Sequence, residues 1–327
     1  MKRLILLFGF SCLVSISLLG CTRDPVANNG DGLHTHADKK VTVPFTHKGA
    51  MPIKVVCTIG MVGDIVRNIG GEFVKVEQLM GEDVDPHLYK VTSADVAKMN
   101  ESDVIFYSGL HLEGKMTDTL EQVSRKKPAF PVAEYLPAKS ILRDEDKHPD
   151  PHVWFDVSLW SQVAGVVGDA LALYDPTNAA AYKKRTEAYR AELAKLHEES
   201  INKIASIEPK EKRVLITSHD AFRYFGRAYV IEVKGIQGIS TDQQASLRDI
   251  NQIVEFMVAR KVKAVFVETS VNQRNMKSLL EGCKARGHEA IQGGELFSDA
   301  MGKEGTPEGT YIGMIRHNVD TIVAALK

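Results

Sequence analysis

Short runs of β-branched and apolar residues alternate with amphipathic stretches twice along this chain, and one long helical pattern separates the two rounds. In the first round Ile53 to Thr58 reads as a strand, Gly63 to Ile69 as a helix stopped by Gly70-Gly71, and Phe73 to Met80 and Val104 to Tyr107 as further strands. In the second, Val214 to Thr217, Val230 to Val233 and Val262 to Val267 are apolar strands, with a helical segment over Ser246 to Arg260. This rhythm is that of parallel strands joined by crossover helices. It predicts two similar α/β lobes, at 52–174 and 209–327.

The helical pattern between them, 175–208, opens on Asp175-Pro176, an acid at the cap position followed by proline at the first helical position. Tyr182, Tyr189, Leu193, Leu196, Ile204 and Ile207 form its apolar stripe. At 1.5 Å per residue such a helix is roughly 45 Å long, stiff enough to span both lobes.

Ahead of the lobes, Lys2 and Arg3 are followed by an almost wholly apolar stretch, Leu4 to Leu19, that ends in Leu18-Leu19-Gly20-Cys21. This reads as an export signal, 1–20, and its ending resembles a bacterial lipobox. Cleavage before Cys21 would leave a lipid-carrying cysteine that holds the chain at a membrane surface. An uncleaved anchor is the alternative, although the run falls short of the ~20 apolar residues that span a bilayer. Either reading puts the rest of the chain outside the cytoplasm. Residues 21–51, polar and rich in Asn, Gly, Asp and Lys, read as a flexible tether, with folded structure beginning near Pro52.

The 41 basic residues are scattered among 42 acidic ones, for a formal net charge of -1, so no stripe for a polyanion exists and nucleic acid is not expected as a partner. Cys12 leaves with the signal and Cys21 is used for lipid, so only Cys57 and Cys283 remain. Both have apolar neighbours and read as buried thiols, with a bridge between them as the lesser alternative.

Four short segments carry chemistry. Val84-Asp85-Pro86-His87-Leu88-Tyr89 and Asp150-Pro151-His152-Val153-Trp154-Phe155-Asp156 each place proline directly before an imidazole, which lowers the entropy lost on fixing the ring. In Thr217-Ser218-His219-Asp220-Ala221-Phe222 an apolar strand runs straight into a histidine, and open parallel sheets bind ligands beyond the carboxyl ends of their strands. Glu295-Leu296-Phe297-Ser298-Asp299 supplies a carboxylate ahead of the glycine-rich stretch Gly302 to Gly309. Three imidazoles and one carboxylate suit zinc and can also hold manganese or ferrous iron. Two come from each lobe, so an ion would sit in the cleft, where small lobe or loop movements capture and release it. Imidazole binds metal only when neutral, so with a reference pKa near ~6.5 affinity should fall as pH drops through roughly 6.

These segments resemble the TroA-like and ZnuA-like family of zinc- and manganese-binding proteins that serve ABC importers. The likeness runs from about Pro52 to the C-terminus and includes Gly109-Leu110-His111-Leu112-Glu113, Val267-Glu268-Thr269-Ser270 and Gly305-Thr306-Pro307-Glu308-Gly309-Thr310-Tyr311. It implies two α/β lobes joined by one long backbone helix, a monomer with its metal in the interlobe cleft, and His87, His152, His219 and Asp299 as ligands to Zn2+ or Mn2+. The implied partners are a cognate ABC permease and its ATPase. Manganese-selective relatives tend to have Glu where His219 stands, and strongly zinc-selective ones a long His-rich loop between the first two ligand segments. This chain has the histidine and only the short insert Arg143-Asp144-Glu145-Asp146-Lys147-His148, which leaves zinc and manganese both open.

Glu268 is the best candidate for an acid behind the ligands, with helix capping as the alternative. His34 and His36 could scavenge metal weakly or belong to a solvated linker; His111, His197, His288 and His317 read as structural or exposed. A secreted zinc hydrolase is the rival of another class, but the chain lacks His-Glu-x-x-His, and four protein ligands leave no place for substrate. A surface adhesin with a metal site is the second alternative.

Overall fold

The structure, a computed structural model, describes residues 39–327. The export signal, Cys12, Cys21, and His34 with His36 lie outside the described residues. In the first lobe the strands β1 (Ile53–Cys57), β2 (Val74–Gln78), β3 (Val104–Tyr107) and β4 (Ala129–Pro131) form one parallel sheet in the order β2-β1-β3-β4. Helices α1 (Gly60–Gly70), α2 (Ser93–Glu101) and α3 (Thr117–Ser124) make the crossovers. The helix α2 starts on a capping box in which Thr92 and Asp95 satisfy each other's backbone N–H.

Helix α4 (Val157–Tyr174) closes the first lobe. It is apolar enough to pass for a membrane span by composition, yet Trp160, Val163, Ala164, Val167 and Leu171 are fully buried in the protein core. After a single tight turn at Pro176–Asn178 comes α5 (Ala179–Ala205), whose 27 residues extend about 40 Å. Its buried stripe, Tyr182, Thr186, Tyr189, Leu193, Leu196, Ser200 and Ile204, keeps helical spacing. It packs on α1 and α4 of the first lobe, and on elements of the second. Asp175 is not a simple cap: its buried carboxylate accepts the Tyr182 hydroxyl at 2.8 Å and the Asn178 amide at 2.7 Å, fixing the turn from within.

The second lobe repeats the α/β alternation. Its strands are β5 (Val214–His219), β6 (Glu232–Gln237), β7 (Ala264–Glu268) and β8 (Ile291–Leu296), its helices α6 (Arg223–Tyr229), α7 (Leu247–Arg260), α8 (Arg274–Ala285) and α9 (Tyr311–Leu326). The strands pair in parallel as β5–β6 and β7–β8, with β5 lying alongside β7. The fold is thus two parallel-sheet α/β lobes joined by the long helix α5.

Two expectations shift in detail, and the reading of the cysteines holds. The strand anticipated at Val230 to Val233 begins only at Glu232, because Val230 takes a left-handed conformation (φ 56°) to cap α6. Packed structure starts ahead of Pro52: Val41 is buried, the His47 N–H donates to the Tyr174 carbonyl at 2.6 Å, and Lys39 pairs with Glu134 at 2.8 Å. The stretch 39–51 therefore lies against the first lobe instead of belonging wholly to a free tether. Cys57 and Cys283 are free thiols in separate cores, the latter beside Met257, so no bridge joins them.

Helices α4 and α5 come closest where Gly168 faces Thr186, whose hydroxyl is tied to the Tyr182 carbonyl at 2.8 Å. A side-chain carbon on Gly168 would overlap that hydroxyl, whereas one on Gly114 would meet open space. Gly168→Val is expected to lower stability by about 1–3 kcal/mol in urea unfolding, with Gly114→Ala close to wild type.

Candidate metal centre

The strand order of the first lobe reverses direction between β1 and β3, and in the second lobe β5 and β7 lie innermost. Such switch points open a crevice beyond the carboxyl ends of the strands. His219 is the last residue of β5 and Glu268 the last of β7; Asp299 follows β8. His87 sits in the loop after β2, and His152 just before the turn Val153–Phe155 that leads into α4. Each aspartate of the two Asp-Pro-His segments folds back on its histidine. Asp85 Oδ1 accepts the His87 N–H at 2.9 Å, and Asp150 Oδ1 accepts the His152 N–H at 3.1 Å.

The four side chains converge. His152 and His219 are wholly buried, with Asp299 1% and His87 5% exposed. The Nε2 atoms of His87 and His152 are 3.2 Å apart, and those of His152 and His219 3.4 Å. Asp299 Oδ1 lies 3.3 Å from His152 Nε2, while its Oδ2 lies 3.3 Å from His219 Nε2 and 3.8 Å from His87 Nε2. Donors at zinc-ligand distances around one tetrahedral centre are ~3.3 Å from each other, so the spacing fits a small divalent cation. Neither oxygen of the buried Asp299 carboxylate accepts a hydrogen bond. A buried carboxylate without a donor is costly, and a cation is what such a group can accept.

Residues 55–325 match the protein-family model for ZnuA, described as zinc-uptake complex component A, periplasmic. The chain belongs to the ZnuA family. It is 45% identical over 276 residues to the manganese-binding lipoprotein MntA of Bacillus subtilis, covering 84% of this chain and 90% of that one. To the zinc-binding protein TroA of Treponema pallidum it is 46% identical over 272 residues, 83% of this chain and 88% of TroA. The solved structure of the same periplasmic TroA superposes with a TM-score of 0.83 over 85% of this chain and 99% of that chain. The metal ABC transporter substrate-binding lipoprotein SloC of Streptococcus mutans is 32% identical over 335 residues, 100% of this chain and 99% of SloC.

In this ZnuA-family chain two rings are held from behind by carboxylates. His152 Nδ1 lies 2.8 Å from Asp150 Oδ1; His219 Nδ1 lies 2.5 Å from Glu268 Oε2, whose other oxygen accepts the His219 N–H at 2.9 Å. A proton kept on Nδ1 leaves the Nε2 lone pair facing the centre. Glu268 therefore stands behind His219 and not at a helix start. The first lobe also reaches the second through Trp154, whose indole N–H donates to the Ser298 carbonyl at 3.0 Å, next to Asp299. Asp85, Asp150 and Trp154 were not singled out from the sequence, although the repeated Asp-Pro-His held the signal: aspartate two places before a residue can take its N–H. Among the described residues the other histidines lie outside the cluster. His111 is exposed at the cavity beside His87, His197 lies 3.4 Å from the Tyr229 hydroxyl, and His288 and His317 face the carbonyls of Val262 and Glu295.

The surroundings drive the rings of this ZnuA-family site apart. Burial, reinforced by the His152 and His219 rings against the pull of Asp299, brings His87 down to about 3. For His152 burial works the same way, but Asp150 and Asp299 outweigh it and hold the ring up at about 9. Burial also opposes charge on His219, where Glu268 and Asp299 prevail and raise it well above the usual range. Asp299, despite its burial, is held well below the carboxylate range by His219 and His152.

The pH dependence follows in sign. A ring raised to about 9 carries a proton at neutral pH in the metal-free protein, and an incoming ion must displace it. Affinity is then greatest above that value and falls as pH drops through it, well above the pH of roughly 6 that an unperturbed imidazole gives. Calorimetry at pH 7.5 in buffers of different ionisation enthalpy is expected to show at least one proton released per ion. An affinity that is flat between pH 6 and 9 would contradict the assignment.

Proposed function

We propose that this chain is an extracytoplasmic receptor that captures Zn2+ or Mn2+ with His87, His152, His219 and Asp299 and hands the ion to an ABC importer. The observation that carries this reading is the buried Asp299 carboxylate, without a hydrogen-bond donor, ringed by three imidazole nitrogens. Two of the four groups precede α5 and two follow it, so a small displacement of one lobe against the other would dismantle the site. A purely structural site gains nothing from being divided in this way.

Three imidazoles and a carboxylate have higher intrinsic affinity for zinc than for manganese, and metal supply decides the cargo. The relatives named for zinc, for manganese and for a metal ABC transporter support that range. Their names as binding proteins also favour a receptor without catalysis, as does a centre whose four positions are filled by side chains. Two of those relatives are lipoproteins, in keeping with a lipid on Cys21 and with a permease and ATPase as membrane partners.

Protein stripped with a chelator is expected to take up one zinc or manganese ion per chain. His152→Ala should abolish tight uptake, and Glu268→Gln should weaken it about 10–100-fold by loosening the His219 ring. A bacterial strain lacking the protein should fail in metal-depleted medium and recover when zinc or manganese is added. Stoichiometric binding left intact in His152→Ala would overturn the site, and growth that does not depend on metal supply would overturn import.

A further inference from the structure

Resting on the reading that His87 helps to hold a captured ion, a further residue can be assigned from what lies in front of that ring. The loop 238–245, between β6 and α7, reaches across from the second lobe. On one side is a cavity of about 830 Å³ lined by His87, His111, Asp220, Ser240 and Asp242; on the other is one of about 590 Å³ lined by Asp85, Leu88, Gln237, Thr241 and Gln244. Thr241 Oγ1 donates to Asp85 Oδ2 at 2.6 Å. Asp85 and Thr241 line the second cavity, while His87, Ser240 and Asp242, close by in the chain, line the first.

The same carboxylate acts in two directions. Asp85 takes the Thr241 hydroxyl on one oxygen and the His87 N–H on the other, so a tie between the lobes ends on the backbone of a ligand residue. Thr241 is only 3% exposed, which shields a short hydrogen bond to a charged group from water. Beside it Lys115 pairs with Asp242 at 3.0 Å, holding the same loop to the first lobe. His87 is the most exposed of the four site residues and has the longest spacing to Asp299, 3.8 Å against 3.3 Å for the other two rings. Its departure is the least obstructed way for the cluster to open.

We infer that Thr241 is a positioning residue: through Asp85 it keeps His87 in place, and thereby sets how slowly a captured ion leaves. The hydroxyl matters and the methyl does not. Thr241→Val and Thr241→Ala remove the donor and leave an Asp85 oxygen without its partner; Thr241→Ser keeps it.

The test loads the full chain with one equivalent of Zn2+ and follows its loss to excess EDTA by stopped flow. Release is expected to be roughly tenfold or more faster from the valine and alanine variants, the scale set by losing one hydrogen bond to a charged group. The serine variant should match wild type, and all four metal-free proteins should be fully folded at the assay temperature, with the valine and alanine midpoints lowered by no more than one lost hydrogen bond accounts for. If valine and alanine variants that still hold one ion release it at the wild-type rate, the role of Thr241 is overturned while the metal site stands. Faster release that only tracks a lowered unfolding midpoint overturns it as well. If wild type itself takes up no ion, the site reading and this inference fall together.

Discussion

Everything in the cleft is arranged around a carboxylate that the fold buries and does not satisfy. Asp299 sits among three imidazole nitrogens, and neither of its oxygens accepts a hydrogen bond of good geometry. Burying a charged group in this way costs several kcal/mol unless something compensates. In the metal-free protein the compensation is protonic, since His152 and His219 are raised by the very acids that surround them. A divalent cation bound among the four groups would take the place of those protons. The site is thus held electrostatically short of a cation, and the surrounding shell keeps the donors from finding one another in some other arrangement.

That shell explains why the two-lobe architecture is needed. Parallel sheets deliver side chains to their carboxyl ends, and the second lobe places His219 and Glu268 on adjacent strands, β5 and β7, so that the acid meets both the ring and the backbone N–H of its neighbour. Gly235 on β6 is part of this construction, because a side chain there would overlap the backbone of His219 and Asp220. From the first lobe come His87 and His152 on loops that their own aspartates fold. Helix α5, packed on both lobes, links these two contributions over about 40 Å and supplies none of the four clustered side chains.

Much of this could be read from the chain. Alternating apolar runs marked β1, β3, β5 and β7, and the Asp175-Pro176 start and the stripe through Tyr182 and Leu193 marked the long helix, because each is a local pattern whose period or cap has one structural meaning. The strand β8 was not legible: Ile291–Leu296 contains Gly293 and Gly294, which weaken any strand signal, and their purpose is to let α9 approach through Thr321 and Ala325. Helix α4 hides for the opposite reason, since burial around much of its circumference erases amphipathic contrast. At the site the histidines could be picked out because the four segments occur together and in this order, as in the family they resemble. The tasks of Asp85, Asp150 and Trp154 could not, for they depend on which groups become neighbours after folding. Proline was credited with fixing the two rings when the aspartate before it does as much.

The three rings are not supported alike, and the difference bears on how one site can both seize and surrender an ion. His152 and His219 each have a carboxylate behind Nδ1, so their orientation is fixed before metal arrives. Among the described residues His87 has no such acid behind its ring; its backbone N–H is taken by an aspartate whose other oxygen accepts a hydrogen bond from the opposite lobe. Two rings fixed in this way make a preorganised half of the cluster, which lowers the entropy cost of capture. The third ring's backbone is tied through Asp85 to Thr241 of the opposite lobe. A membrane partner that drew loop 238–245 away would not have to compete for the ion directly. It would need only to remove the support of one ligand, after which the remaining three form a weaker site open on one side.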